Sequence, residues 1–385
     1  MDLSEVLLVA LNNRASDVHF KVGQPPLLRI DGELIPLKDY SAMDASEIAK
    51  MAYQIMTERQ RERFLREMEI DMGYGISGMG RFRVNIFQQR GTIAIALRVI
   101  PFGIKGFEEL NLPVDVMDRI AREVRGLILL TGTTGSGKST TLAALIDKIN
   151  TSRRSHIITI EDPIEFLHRD QKGIVSQREI GTDTDNFAQA LKMALRQDPD
   201  VILVGEMRDF ETIETAILAA ETGHLVLSTL HTLDAAETVN RIVAVYPPYQ
   251  QKQIRLQLAG ILKAVVSQRL LPRADGMGRV PAVEIMLSTA RIRECIVDKD
   301  KTHDIHDAIS EGHATYHMQT FDQSLMSLLK RELITYEEAL RHSSNPDDFA
   351  LRVKGILATS DMSWDEFEKV DKGGEEGQEL EVEKF

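Results

Sequence analysis

Residues Gly126 to Thr141 read GLILLTGTTGSGKSTT, and the predicted architecture of the chain depends on them. Its segment from Gly132 to Ser139 fits the phosphate-loop pattern GxxxxGK[ST]. The apolar run Leu127 to Leu130 predicts a buried parallel strand before the loop, and Thr140 to Ile149 predicts a helix after it. This context favours a nucleotide-phosphate site over a structural glycine turn.

The chemistry of such a loop assigns roles to individual residues. Glycines let backbone N–H groups turn toward phosphate oxygens, and the helix N-terminus adds partial positive charge. Lys138 is expected to reach the β- and γ-phosphates, and the Ser139 hydroxyl to bind Mg²⁺. ATP and Mg²⁺ are the predicted cofactors. The predicted nucleotide-binding residues are Thr133, Thr134, Gly135, Ser136, Gly137, Lys138, Ser139 and Thr140.

Composition narrows the class of protein. The chain has 385 residues, enough for two or three domains, and its 43% hydrophobic and 27% charged residues are typical of soluble globular proteins. It has no membrane-length apolar run and no secretory signal pattern, and a single cysteine suits a reducing cytoplasm. The net charge of −13 disfavours a nucleic-acid partner.

Residues 1–100 are predicted to form a small α+β domain. Leu3 to Asn12 has the pattern of an amphipathic helix, and Asp44 to Met68 carries helical periodicity with many charges. Two later segments alternate as strands do, Arg81 to Ile86 and Ile93 to Ile100.

Three arginines lie on the polar faces of these two strands, at Arg81, Arg83 and Arg98. Two interpretations are open. They either supply positive charge to a neighbouring phosphate site, or they are surface arginines beside acidic helices, which is the more common case.

Strands and helices alternate after a linker at 101–113, which predicts a parallel α/β core over 114–288. Two predicted strands of this core end in acids. Glu161 and Glu165 follow His156 to Ile160, and Glu206 follows Val201 to Val204. Acids at the carboxyl ends of such strands face the ligand crevice, where they can hold the Mg²⁺ shell or the attacking water. Glu206 could instead cap the following helix.

The remaining residues of the core are less distinctive. His224 and His231 lie at opposite ends of the predicted strand Leu225 to Thr229, and such histidines are more often structural than catalytic. The pattern from Tyr249 to Gln268 predicts a helix. A helical region is predicted over 289–370, and the glutamate-rich residues 371–385 are predicted to be a disordered tail.

Four motifs in a fixed order now give a resemblance that covers nearly the whole chain. They are the Walker A loop at Gly132–Ser139, IITIEDPIEF at Ile157–Phe166, ILVGEMRD at Ile202–Asp209 and AAETGHLVLSTLHT at Ala219–Thr232. Together with the N-terminal segment ASDVHF, they resemble the secretion ATPases of the type II secretion and type IV pilus superfamily. The chain is identified as a member of this superfamily.

The resemblance implies a PAS-like N-terminal domain, a RecA-like ATPase core and a hexameric ring. It implies that Glu206 is the Walker B acid and a Mg²⁺ ligand with Ser139, and that Glu165 or Glu161 polarises the attacking water. His224 and His231 become catalytic candidates as residues of the fourth motif. Arg81, Arg83 and Arg98 become candidates for stabilising transition-state charge.

Within the superfamily the chain is most similar to pilus retraction ATPases, which act in twitching motility. Many assembly-type relatives carry a four-cysteine zinc module that one cysteine cannot provide. Retraction ATPases usually carry an AIRNLIRE-like motif, and Ala290 to Val297 keeps its rhythm without the Asn-Leu centre. The alternatives are a pilus assembly or type II secretion ATPase, a RecA-like nucleic-acid motor, and a ring component that binds nucleotide without hydrolysing it.

The implied partners are further copies of the chain, an inner-membrane platform protein and the pilus machinery at the cytoplasmic face. The implied location is the cytoplasm, peripherally at the inner membrane.

Overall fold

The computed structural model describes residues 2–30, 32–76, 80–100 and 103–355. The predicted tail at 371–385, the last part of the predicted helical region and the first two linker residues lie outside these ranges. No helix of the described ranges is both long and apolar enough to cross a bilayer.

The N-terminal elements alternate helices with antiparallel strands. They are α1 (Leu3–Asn12), β1 (Asp17–Phe20), β2 (Leu27–Ile30), β3 (Glu33–Pro36), α2 (Ala45–Ile55), α3 (Glu58–Glu67), β4 (Glu69–Ile76), β5 (Gly80–Gln89) and β6 (Thr92–Ile100). The central elements are α4 (Val114–Ala121), β7 (Gly126–Thr131), α5 (Lys138–Ser152), β8 (His156–Glu161), β9 (Ile174–Glu179), α6 (Phe187–Ala194), β10 (Val201–Val204), α7 (Phe210–Glu221), β11 (Leu225–Leu230), α8 (Ala235–Ala244), α9 (Pro248–Ile261), β12 (Leu262–Pro272) and β13 (Arg279–Leu287).

The C-terminal elements are helical. They are α10 (Ala290–Val297), a 3₁₀ helix (Lys299–Asp304), α11 (Ile305–Glu311), α12 (His313–Tyr316), α13 (Phe321–Lys330), α14 (Tyr336–His342) and α15 (Pro346–Val353). The described part of the predicted helical region therefore has the predicted structure.

Contacts divide the chain into two compact units. Unit 1 contains the described residues of Met1–Ile104 and Arg153–Pro199, and unit 2 contains those of Lys105–Ser152 and Asp200–Phe385. The first boundary falls inside the predicted linker. Residues 153–199 were predicted to belong to the core domain, whereas contacts group this segment with the N-terminal residues.

Unit 1 contains a six-stranded antiparallel sheet in the order β3-β2-β1-β6-β5-β4. The predicted alternation in β5 is confirmed, because Phe82, Val84 and Ile86 are buried in the core of the unit. Strands β8 and β9 of this unit pair in parallel. In this pairing Glu161 lies opposite Glu179, and the two are the last residues of their strands.

Helices α2 and α3 replace the single helical region predicted from Asp44 to Met68. The break follows from a capping box at Thr57, whose hydroxyl accepts the Gln60 N–H while its own N–H donates to the Gln60 side chain. A capping residue satisfies the free N–H groups of a helix start, so the chain begins a new helix there.

Unit 2 contains five strands in the order β13-β12-β7-β11-β10. Strands β12, β7, β11 and β10 are parallel, and β13 pairs antiparallel with β12. All residues of β7, β10 and β11 are buried, as expected for parallel strands covered on both faces. The predicted α/β core with the phosphate loop after a buried strand is confirmed.

The predicted helix from Tyr249 to Gln268 is wrong from Leu262 onward. Helix α9 ends at Ile261, and β12 begins at the next residue without an intervening turn. Apolar residues continue at helical spacing across the junction, and no glycine or proline interrupts Leu262 to Leu271. Burial in the sheet outweighed this local pattern.

Candidate functional site

The phosphate loop of unit 2 joins β7 to α5 in a conformation that needs glycine. Gly132, Gly135 and Gly137 have φ angles of 138°, 80° and 90°, which disfavour any residue with a Cβ. A Cβ on Gly132 would overlap the Gln268 carbonyl and lie 2.7 Å from Ser136 Oγ. The glycines at the ends of the loop therefore allow close backbone approach as well as the turn.

The wall behind the loop is β12. Thr131 Oγ1 donates to Ser267 Oγ at 2.9 Å, and Thr141 Oγ1 donates to Gln268 Oε1 at 2.8 Å. All four side chains are buried. These bonds fix both ends of the loop to one strand.

Lys138 is folded into the loop. Its ammonium group donates to the carbonyls of Gly132 at 2.8 Å and Thr133 at 2.9 Å, and the residue is only 8% exposed. Ser136 Oγ is buried with no protein partner among the described residues. A cation and an unsatisfied hydroxyl inside a glycine-lined cradle fit a phosphate group.

The other predicted nucleotide-binding residues lie in the phosphate loop and at the start of the helix that follows it. Thr133, Thr134 and Gly135 form its exposed rim, while Ser139 and Thr140 lie in the first turn of α5. The exposed Ser139 hydroxyl is available as an oxygen ligand of the kind that Mg²⁺ prefers.

Glu206 lies just after β10, and β11 separates β10 from the strand that leads into the phosphate loop. Its carboxylate is 14% exposed and contacts two cation-forming side chains. Arg208 Nε lies 2.6 Å from Oε1, and His231 Nε2 lies 3.5 Å from Oε2. The hydroxyls of Ser228 and Thr229 donate to the carbonyls of β10 and Gly205, so the strand end is fixed.

The structure therefore brings Glu206 and His231 together and places His224 elsewhere. His224 precedes β11, and its ring Nδ1 lies 3.0 Å from the Ala219 carbonyl at the end of α7. Its own carbonyl accepts the N–H of Gly126, where β7 begins. These contacts lie at the amino-terminal ends of the parallel strands, whereas the phosphate loop follows the carboxyl end of β7. The catalytic role of His224 stays a prediction.

The second motif lies in unit 1, and there the structure distinguishes its two candidate glutamates. Glu161 accepts hydrogen bonds from Thr159 Oγ1 at 2.6 Å and Gln177 Nε2 at 3.2 Å, and more weakly from the Glu165 N–H at 3.5 Å. Burial raises the pKa of Glu161. Glu165 is exposed. Glu161 thus holds the segment in place, and Glu165 has the accessible carboxylate.

The three candidate arginines all have carboxylate partners within unit 1. Arg98 Nε lies 2.9 Å from Asp17, and the side chain is 70% exposed. Arg83 Nη2 lies 2.6 Å from Asp71, a bond that raises the pKa of Arg83, with smaller contributions from Glu165 and Asp162. Arg81 pairs with the buried Glu179.

Sequence reasoning missed several residues that shape these sites. Ser267 and Gln268 were assigned to a helix, and the polar pair within an apolar run was the available signal. Gln177 and Glu179 alternate on β9, a strand that was not predicted. The two residues lie two positions apart in VSQRE, as residues on one face of a strand do. Both faces of this segment carry polar residues, so its sequence did not indicate that one face is buried.

A parallel sheet with a phosphate loop after one buried strand and an acid after another defines the P-loop nucleoside triphosphatases with a RecA-like core. Three comparisons with known proteins narrow this class.

The family model for Type II/IV secretion system proteins matches residues 2–341, and the chain belongs to this family. It is 43% identical to the type IV pilus retraction ATPase PilT of Pseudomonas aeruginosa over 349 residues, which are 91% of this chain and 100% of that protein. It is 44% identical to a twitching motility protein of Neisseria gonorrhoeae over 325 residues, covering 84% of this chain and 86% of that protein.

Solved structures give the same result. A crystal structure of the pilus retraction motor PilT with bound ADP superposes with a TM-score of 0.83 at 46% identity, covering 90% of this chain and 98% of that one. The ATPase DotB of Legionella pneumophila gives a TM-score of 0.77 at 27% identity, covering 92% and 96%. The predicted resemblance to this ATPase superfamily, and within it to retraction ATPases, is confirmed.

Proposed function

We propose that the chain is the ATP-hydrolysing motor of type IV pilus retraction, the process behind twitching motility. The observation that carries this proposal is the likeness to PilT along 91% of the chain, together with the phosphate loop and Glu206 in one sheet. The proposed parts of the motor are a PAS-like domain at 1–100, a RecA-like core at 114–288 and a helical region at 289–370.

Nucleotide binding is assigned to the loop and the first turn of α5. The proposed ligands are the backbone and side chains of 133–140, with Lys138 on the β- and γ-phosphates. The Ser139 hydroxyl and the Glu206 carboxylate would hold Mg²⁺. When bound, this ion withdraws charge from phosphate oxygens. The oxygen chemistry of the two residues supports the assignment.

Hydrolysis needs an oriented water and positive charge at the transition state. We assign the water to Glu165, because its carboxylate is exposed while Glu161 is committed to hydrogen bonds that hold the segment. His231 contacts Glu206 and is proposed to orient it. Arg83 is the proposed charge-stabilising arginine, because its side chain is 40% exposed in its pair with Asp71, whereas Arg81 pairs with the buried Glu179. Arg98 stays a prediction without further support.

The assembly and partners follow from the family and from relatives named for pilus retraction. We propose a homohexamer in the cytoplasm that docks on an inner-membrane platform protein at the base of the pilus. The net charge of −13 supports the expectation of no nucleic-acid partner. The single cysteine excludes the four-cysteine module of assembly-type relatives and so supports retraction.

Deleting the gene in its host and counting surface pili by electron microscopy tests this function. We expect excess pili and lost twitching, because extension continues while retraction stops. A plasmid copy of the wild-type gene should restore both. A Glu206→Gln copy should restore neither, and the purified variant should bind ATP with near wild-type affinity but show a turnover lower by about 10²-fold or more.

Other outcomes would contradict specific parts of the proposal. Cells without pili would show an assembly motor. Near-normal turnover of Glu206→Gln would remove Glu206 from the catalytic set. ATPase stimulation by DNA with a steep salt dependence of binding would identify a nucleic-acid motor.

A further inference from the structure

Glu179, the last residue of β9, has a carboxylate that joins four segments of unit 1. Its Oε1 accepts the Gly73 N–H at 3.0 Å and the Thr182 hydroxyl at 3.3 Å. Its Oε2 accepts the Ile164 N–H at 3.1 Å and forms the ion pair with Arg81. The donors come from β4, from β5 and from the loops before and after β9.

This cluster is buried and closely packed. The side chain of Glu179 is 2% exposed and that of Arg81 is 18% exposed. A Cβ on Gly73 would overlap the Arg81 guanidinium and both carboxylate oxygens, so a larger residue there would displace the ion pair. A buried carboxylate that loses its cation is strongly destabilised, and Arg81 is therefore committed to Glu179.

A second residue of β9 acts on the same loop. Gln177 lies two positions before Glu179, on the same face of the strand. Its amide donates to the Phe166 carbonyl at 2.8 Å, and its oxygen accepts the His168 N–H at 2.9 Å. Since Glu179 holds the residue before Glu165, the two side chains of β9 fix the loop on both sides of the exposed Glu165.

We propose that Glu179 and Arg81 form a positioning pair for hydrolysis. They tie β4 and β5 to the loop that carries Glu165, and in this way they set where the Glu165 carboxylate points. The inference rests on the proposed role of Glu165 in polarising water. Arg81 then acts through Glu179 and does not contact the transition state. Arg83 stays the candidate for stabilising transition-state charge.

Steady-state ATPase kinetics of the purified full chain test the pair. Arg81→Gln and Glu179→Gln should each lower kcat by roughly tenfold and leave the KM for ATP within about twofold, because the catalytic carboxylate is displaced while the phosphate loop is untouched. The double variant should lose about as much as either single variant, since both changes break one connection.

Matched variants serve as controls for this double-mutant cycle of Arg81 and Glu179. Arg83→Gln combined with Glu179→Gln should show losses that multiply, because Arg83 pairs with Asp71 instead. Arg81→Lys keeps the cation and should recover part of the lost kcat. Losses that multiply for Arg81 and Glu179, an unchanged kcat, or a lysine variant slower than the glutamine variant would each overturn the proposal.

Amide hydrogen exchange gives a readout that is independent of turnover. The N–H groups of Gly73 and Ile164 should exchange faster in both Arg81→Gln and Glu179→Gln, and at the wild-type rate in Glu165→Gln. Unchanged exchange in the first two variants would show that the Arg81–Glu179 pair does not hold β4 and the Glu165 loop together. Normal turnover of Glu165→Gln would instead refute the proposed water-polarising role, while the exchange data would still test the tie.

Discussion

Glu284 is a carboxyl group enclosed in unit 2, on β13, and it is 3% exposed. Its Oε1 accepts the Ala235 N–H at 2.9 Å, which fixes the start of α8 just after the segment that carries His231. Burial raises the pKa of Glu284 to about 7, and the hydrogen bond from Ala235 opposes the shift. The Glu284 carboxyl, in the same sheet as the phosphate loop, is therefore about half protonated at neutral pH.

The sign of the resulting pH dependence is fixed. The folded state holds a proton on Glu284 at pH values where the unfolded state has lost it, so the stability contributed by this group is lost as pH rises from about 4.5 to about 7. Relative to Glu284→Gln, the wild type should lose up to roughly 3 kcal/mol of unfolding free energy over this range.

Urea unfolding of both proteins at about pH 5 and about pH 8 measures this difference. Glu332→Gln, at an exposed position, controls for the loss of one negative charge. Equal pH dependence of the wild type and Glu284→Gln would show that Glu284 titrates normally.

Among the elements, β12 is the support of the phosphate loop, because its backbone faces Gly132 and its side chains bind Thr131 and Thr141. A loop that binds phosphate with its backbone needs such a wall, since its own N–H groups must stay directed at the ligand. Gly132 and Gly135 of the loop differ sharply in what surrounds them.

Gly132→Ala should weaken ADP binding by about tenfold or more, because the new Cβ overlaps the β12 backbone and the loop must shift. Gly135→Ala is the matched control. Its backbone is also left-handed, with φ of 80°, but no atom lies within 4 Å of the added Cβ. It should cost about 1 kcal/mol of stability and change the affinity less. Isothermal titration of both variants measures this, and equal losses would remove β12 from the explanation.

These elements show why sequence predicted part of the site. The glycines of the loop and the buried strand before it are dictated locally, so the phosphate loop and most strands of the core were predictable. Gln268 and Glu179 have roles only through residues distant in sequence. The choice between Glu161 and Glu165 likewise depended on Gln177, which reaches the segment only when β8 and β9 pair.

For the whole molecule, a homohexameric ring as proposed above would make the turnover of one subunit depend on its neighbours. The proposed ring makes a prediction that no isolated subunit would satisfy.

Mixed assemblies of wild type and Glu206→Gln should turn over ATP more slowly than dilution alone predicts. A subunit that holds ATP without hydrolysing it would block the movement that its neighbours need. Subunits are mixed at several ratios under exchange conditions and ATPase activity is measured. Activity that falls in strict proportion to the wild-type fraction would show independent sites.

The direct junction of α9 and β12 has a mechanical consequence. The helix carries the 81% exposed Tyr249 near its start, spans about 20 Å at 1.5 Å per residue, and passes into the strand that backs the phosphate loop. Because no linker separates the helix from the strand, we expect a displacement of the start of α9 to be transmitted directly to β12. The register of β12 against β7 shifts between Leu262 and Ala264, just after the junction, and we expect bending to concentrate at this irregularity.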